Sequence, residues 1–395
     1  SPEYARRFEN TIFGIENSIK ATEGYLSGLL DEGIMARKNA FEDDFRARIA
    51  ADPDLEARYG SAWDEIADAQ LELATFAMQA RYYAMTGSTL LGRALGLVRL
   101  VHQAALPEAQ RLAAYQGAGL ERQRRGLLRE EPLDTTLERT LMASWLAAAR
   151  DDLGADDPLV RALLAGRTPE DAAASYLDSS GLVDAGHVAS LVEGGARALE
   201  ECPDPLVAAA RDLEPVATSY VKRQAALTDV VSADSEKLGE AIYAAYGKAL
   251  PPDATFTLRI SDGVVEGYPM NGTVAPYKTS FYGLFARSAE FDDQPPFQLM
   301  ESWRRAEPRL DMTTPMDFVS TADIIGGNSG SPVINRGGEV VGLVFDGNIQ
   351  MLPNRFIFTD EVSRCVSVHS RAIIEALRKV YDASHLADEL QGMRR

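Results

Sequence analysis

The octapeptide Gly326-Gly327-Asn328-Ser329-Gly330-Ser331-Pro332-Val333 sets the architecture to expect in the second half of this chain. A nucleophilic serine needs a sharply turned backbone to present its Oγ, and the amide two residues before it must point at the same developing oxyanion. Glycines permit those dihedrals. The stretch lacks the second glycine of the G-x-S-x-G elbow, with Ser331 in that place, and continues through Val333 and Ile334 as strand, not helix. Both features argue against an α/β-hydrolase. What remains is the nucleophile loop of a chymotrypsin-like second barrel, in which Ser329 attacks a carbonyl and the amides of Gly327 and Ser329 form the oxyanion hole. The plainer alternative is a Gly-Ser turn joining two strands.

Around the octapeptide the chain reads as β structure. Phe256, Leu258 and Ile260 alternate with Thr255, Thr257 and Arg259, the period of a half-buried strand, just after Leu250-Pro251-Pro252-Asp253. Asn271-Gly272 between residues 263–268 and 273–277, and Gly337-Gly338 between residues 331–335 and 339–345, are hairpin signals. The run Asp292-Asp293-Gln294-Pro295-Pro296 reads as loop. After Val366 the pattern turns helical, with Ala372, Ile373, Leu377 and Val380 on one face and Leu386 and Leu390 near the end.

Before residue 240 the chain reads as helix after helix. Ile12, Ile15, Ile19, Leu26 and Leu29 trace one face, Trp63, Ile66, Leu73 and Phe76 a second, and Leu133, Leu137, Leu141 and Trp145 a third, each expected to lie in a core. Breaks are expected at Asp52-Pro53, Leu106-Pro107, Asp157-Pro158 and Asp204-Pro205, because proline disfavours helix in the residue before it and often opens the next. No fixed repeat supports a solenoid. The expected fold class is α+β: an all-helical domain (1–250), a chymotrypsin-like antiparallel β-barrel carrying the nucleophile (251–368) and a C-terminal helix (369–395).

The 395 residues include 40 basic and 59 acidic side chains, a net charge of −19. The excess argues against nucleic acid or an anionic membrane as partner, since both select clustered Lys and Arg. Residues 1–250 carry 26 basic and 40 acidic residues and the remainder 14 and 19, so the helical part is the more acidic. No run of eighteen apolar residues occurs, and the chain opens on Ser1-Pro2-Glu3-Tyr4 without an initiator Met or a charged-then-apolar leader. A soluble protein whose start lies upstream is the expectation. Two cysteines, Cys202 and Cys365, and four histidines argue against a zinc cluster or disulfide framework.

A triad also needs a base and an orienting carboxylate, which precede the serine in chymotrypsin-like enzymes. Only His102 and His187 lie upstream of Ser329, both in helical pattern, and His369 and His385 follow it. The base and its aspartate are therefore expected outside this chain.

Residues 321–333, from Thr321 to Val333, and Gly342-Leu343-Val344-Phe345-Asp346-Gly347-Asn348 resemble the bacterial dipeptidyl-peptidase 7 and dipeptidyl-peptidase 11 family of serine exopeptidases. Asn17, Lys20, Gly28, Leu29, Lys38 and Glu42 look similar to the start of that family's helical domain. The resemblance implies a double barrel interrupted by a helical cap, of which this chain matches the cap, the second barrel and the closing helix, with the first barrel supplied by upstream sequence. It implies Ser329 as nucleophile, Gly327 as oxyanion donor and Asp346 as a carboxylate for the substrate's free α-amino group. No Asn-Trp pair, the family's other half of the amine site, occurs here. Members with Arg where Gly347 stands prefer acidic P1 residues, so Gly347 implies an open, uncharged pocket and hydrophobic or broad P1 preference.

The activity implied is release of dipeptides from free N-termini of oligopeptides through an acyl-enzyme, without cofactor or metal, by a periplasmic or secreted homodimer. Two alternatives stand beside it. One is a non-catalytic peptide-binding module. The other is a trypsin-like endopeptidase, suggested by Asp323 six residues before the serine.

Overall fold

A computed structural model describes residues 2–129, 133–247 and 258–392. The chain divides into two compact units, one of Ala47–Leu250 and one joining Ser1–Arg46 to Pro251–Arg395. This corrects the expected helical domain of 1–250, whose first 46 residues belong with the β-containing unit. The reason lies in the first helix, α1 (Pro2–Leu30). Its Ile12, Ile15, Ile19, Leu26 and Leu29 stripe is exposed, not in a core. Instead α1 packs through Gly24, Tyr25 and Gly28 against a 3-10 turn at Ile349–Arg355, where the Tyr25 ring stands edge-on to Phe356 at 6.4 Å. Helix α2 (Glu32–Ala50) follows and crosses the boundary.

The Ala47–Leu250 unit is built from α3 (Pro53–Tyr59), α4 (Ala62–Tyr83), α5 (Thr89–Ala105), α6 (Gly119–Leu127), α7 (Thr135–Leu153), α8 (Pro158–Leu164), α9 (Pro169–Ser179), α10 (Ala185–Glu201) and α11 (Pro205–Tyr246). All four expected breaks are element boundaries. Asp52, Asp157 and Asp204 cap α3, α8 and α11, each with proline at the first position, and α5 ends just before Leu106-Pro107. One continuous core, including Leu90, Leu97, Met142, Leu146, Leu159 and Leu163, joins α5, α7 and α8 to α11. Each fully buried leucine contributes about 2 kcal/mol of transfer free energy.

In α7 the buried row is Glu138, Met142, Leu146 and Ala149, one residue on from the row expected, and Leu141 is exposed. Glu138 explains the rotation. Its carboxylate accepts the Thr89 and Leu90 amides (3.1 and 2.8 Å) that open α5. A carboxylate is favoured at a helix N-terminus, and these bonds satisfy otherwise orphaned donors.

In the second unit, β1 (Tyr268–Met270) and β2 (Thr273–Ala275) form the hairpin signalled by Asn271-Gly272, both with positive φ (50° and 75°) as a type I′ turn demands. Then come β3 (Lys278–Ser280), α12 (Phe281–Glu290), α13 (Glu301–Ala306), β4 (Pro315–Ser320), β5 (Pro332–Ile334), β6 (Val340–Gly347), β7 (Cys365–His369), α14 (Ser370–Lys379) and α15 (Ser384–Leu390). Strands β3 to β7 make one antiparallel sheet in the order β3-β4-β7-β6-β5. Among the described residues the sheet is open, with β3 and β5 as its edges, and no closed barrel forms. The expected strand of residues 255–260 lies partly outside the described residues, and Leu258 and Ile260 are exposed without strand pairing. The single closing helix is corrected to α14 and α15, with His369 still in β7. Among the described residues two small cores hold this unit. One sets Phe281 and Ala306 against Ala372, Ala376 and Val380, and the other gathers Ile324, Val344 and Cys365 beneath the Ser329 loop.

Candidate active site

Ser329 sits on the loop between β4 and β5, exposed, with the backbone around it folded by its own hydrogen bonds. The Asn328 side-chain oxygen accepts from the Ile325 amide (3.0 Å), the Asn328 amide donates to the Ile325 carbonyl (3.2 Å), and the Ser331 amide donates to the Asn328 carbonyl (3.0 Å). Gly327 takes φ 103°, a conformation closed to most L-residues, and turns the chain so that Ser329 emerges from it. The loop is then tied to β6: the Gly330 amide donates to Val344 O (2.7 Å) and the Val344 amide to Ser331 O (2.9 Å).

The amides of Asn328, Gly330 and Ser331 all have protein acceptors, whereas those of Gly327 and Ser329 have none among the described residues. Gly326, Gly327 and Ser329 thus leave backbone N–H donors without a protein acceptor among the described residues, on the loop that carries the exposed hydroxyl, and such donors can stabilise the negative charge of a tetrahedral intermediate. The Ser329 hydroxyl donates only a long bond (3.4 Å) to Phe345 O. No histidine is hydrogen-bonded to it among the described residues.

Phe345 brings Ser329 beside the other residues expected in the site. The register between β6 and β7 shifts between Val344 and Asp346, a bulge that leaves both Phe345 and Asp346 exposed where strict alternation would bury one. Asp346 Oδ1 accepts the Gly347 amide (2.8 Å). Past Gly347 the chain is fixed by Asn348, whose side chain accepts the Arg364 amide (2.8 Å) and donates to Val362 O (2.8 Å). Arg364 is itself buried, its guanidinium donating to the Glu266, Gly267 and Asp360 carbonyls.

The four histidines are engaged elsewhere or distant in sequence from the loop. His102 Nδ1 lies 3.2 Å from Glu214 in the helical unit, and His187 stands in the first turn of α10. His369 caps α14 by accepting the Arg371 amide at Nδ1 (3.2 Å), with its pKa lowered by burial and by Arg371 and Lys278. Asp323 accepts Ser261 Oγ at its carbonyl (2.7 Å), and partial burial raises its carboxyl pKa. Asn328, which closes this loop through its side chain, is signalled in sequence only by the turn-forming habit of Asn. Among the described residues no cluster of His, Cys, Asp and Glu could hold a metal ion.

The family model for Peptidase S46 matches residues 1–392. This chain belongs to the peptidase S46 family. Among its relatives, the Asp/Glu-specific dipeptidyl-peptidase of Shewanella putrefaciens is 27% identical over 99% of this chain and 58% of its own length. Dipeptidyl-peptidase 7 of Phocaeicola vulgatus is 34% identical over 44% of this chain and 27% of its own. The crystal structure of Porphyromonas endodontalis DPP11 in complex with the dipeptide Arg-Glu superposes with a TM-score of 0.74 at 20% identity, over 99% of this chain and 57% of that one. The fold is therefore shared, and the S46 chain described here spans a little over half the length of the Shewanella relative and of the solved structure.

Proposed function

We propose that this S46 chain carries the nucleophile of a serine dipeptidyl-peptidase that releases dipeptides from the free N-termini of oligopeptides. The observation that carries the reading is the exposed Ser329 hydroxyl on a loop whose Gly327 and Ser329 amides have no protein acceptor among the described residues. Ser329 attacks the carbonyl of the second substrate residue, the two amides receive the oxyanion, and the amine product leaves before water releases the dipeptide. Asp346, exposed beside Phe345, holds the substrate's α-ammonium, so that cleavage falls two residues from the N-terminus. The histidine and aspartate of the triad come from a first barrel outside these residues, against which the open sheet completes a chymotrypsin-like pair. A hydrophobic or broad P1 preference, a periplasmic or secreted location and a homodimer belong to the same reading. Gly347 supports that P1 preference by offering no charge, although several relatives, the Shewanella enzyme among them, are named for Asp/Glu specificity.

The test compares free and N-acetylated dipeptidyl-coumarin substrates on the full-length protein. Free substrates should be cleaved at least a hundredfold faster, and Ser329→Ala should lower turnover by about 10³-fold or more. Gly347→Arg should move preference toward Asp and Glu at P1. Equal cleavage of blocked and free substrates would leave an endopeptidase, and binding without turnover a peptide-binding module.

A further inference from the structure

The space beside Gly347 is not empty. A Cβ built on Gly347 would lie 2.2 Å from Met351 Cε and 2.4 Å from its Sδ, distances at which one side chain must give way. Met351 therefore occupies the position that any side chain at 347 would enter. The space beside Gly347 is thus bounded by a thioether and is not open.

The wall is built from both sides. The Met351 amide donates to Asn348 O (2.9 Å), and Asn348 is pinned to the start of β7, so the turn leaves the strand in a fixed direction. On its inner side Met351 packs against the cluster of Ile324, Val344 and Cys365 that underlies the Ser329 loop. On the far side the next residues meet α1. A Cβ at Gly24 would strike Leu352 Cδ1 at 2.2 Å, and one at Gly28 would press on Pro353 at 3.1 Å, so helix and turn touch as closely as glycines allow.

We propose that Met351 is the specificity-determining residue that limits the size of the P1 side chain, held in place by the contact of α1 with the Ile349–Arg355 turn. The inference rests on the dipeptidyl-peptidase reading of the Ser329 site. Its chemistry is that of methionine, an unbranched and polarisable side chain that moves aside for different apolar groups and rejects none by charge. It predicts tolerance of several apolar P1 residues with a penalty on the bulkiest.

Met351→Ala should raise the ratio of kcat/KM for Phe over Ala at P1 by about tenfold. A merely structural role would lower both values together and leave the ratio unchanged. Met351→Leu, which keeps the apolar packing should the alanine variant fail to fold, should shift the same ratio measurably. A second readout does not need turnover. In Ser329→Ala protein labelled at its methionine methyl groups, the Met351 resonance, assigned by its loss in Met351→Leu, should move when a dipeptide ending in Phe is added. Failure of the unmutated protein to cleave any free dipeptidyl substrate would count against the functional reading alone. An unchanged P1 ratio together with an unmoved methyl resonance would overturn the role of Met351.

Discussion

Asp317 shows how one residue can carry a testable cost. It lies in β4, and burial raises its carboxyl above the unfolded value of 3.8, opposed by a hydrogen bond from Thr279. A folded state that binds the proton more tightly than the unfolded state gains most at low pH. The group's contribution is full below pH 3.8 and is lost as pH rises through the raised folded pKa. Asp317→Asn should therefore raise Tm by a few degrees at neutral pH, with the gap closing as the pH falls toward 3.8. A variant less stable at pH 7 in thermal melts would show that the charge is compensated. The site residues divide along similar physical lines. The turn that exposes Ser329 could be read from its loop, because the glycine that permits it, Gly327 at φ 103°, answers a local demand on backbone dihedrals. Met351 could not, because its meeting with Gly347 depends on how a turn folds back on its strand.

At the scale of elements, the proline breaks were legible because capping is also local. Asp204 is the clearest case, buried and accepting from Leu206 N (2.8 Å), Ser180 Oγ (2.8 Å) and Gly181 N (2.8 Å) at the start of α11. Asp204→Ala removes the cap and strands the Ser180 and Gly181 donors, at a cost of about 2–3 kcal/mol. Asp204→Asn should keep most of the cap. Denaturant melts showing a loss below about 0.5 kcal/mol for the alanine variant would mean that water replaces these bonds. The helix faces were less legible. Periodicity showed which residues of α7 share a row, but the adjacent row with Glu138 turned inward because the N-terminus of α5 needed its carboxylate. In α1 a well-formed apolar row stayed exposed while Gly24 and Gly28 made the packing contact, since close approach rewards small residues over large ones.

For the whole molecule, the net charge of −19 gives a prediction independent of any site. Excess like charge opposes the compact state, and the Debye length falls from about 30 Å at 0.01 M to about 8 Å at 0.15 M salt. Raising NaCl over that range should raise Tm by a few degrees, and a fall would show that favourable ion pairs outweigh the net repulsion. Architecture was legible in part. The change from helical to β pattern near residue 250 coincides with a boundary between units, but the assignment of Ser1–Arg46 to the β-containing unit does not follow from pattern. By itself the sequence determined the helical run of the first part and its proline and aspartate boundaries, the Asn271-Gly272 hairpin and the Gly-rich loop around Ser329, because each rests on forces acting within a few residues, whereas the helices Phe281–Glu290 and Glu301–Ala306 inside the expected β-barrel were not legible. Tertiary structure alone decided which helix faces are covered, that among the described residues the sheet is open and the amides of Gly327 and Ser329 have no acceptor, and that Met351 fills the space beside Gly347. Those outcomes depend on contacts between segments far apart in the chain, such as α1 against the Ile349–Arg355 turn, whose closeness is set by packing and not by any neighbour in sequence.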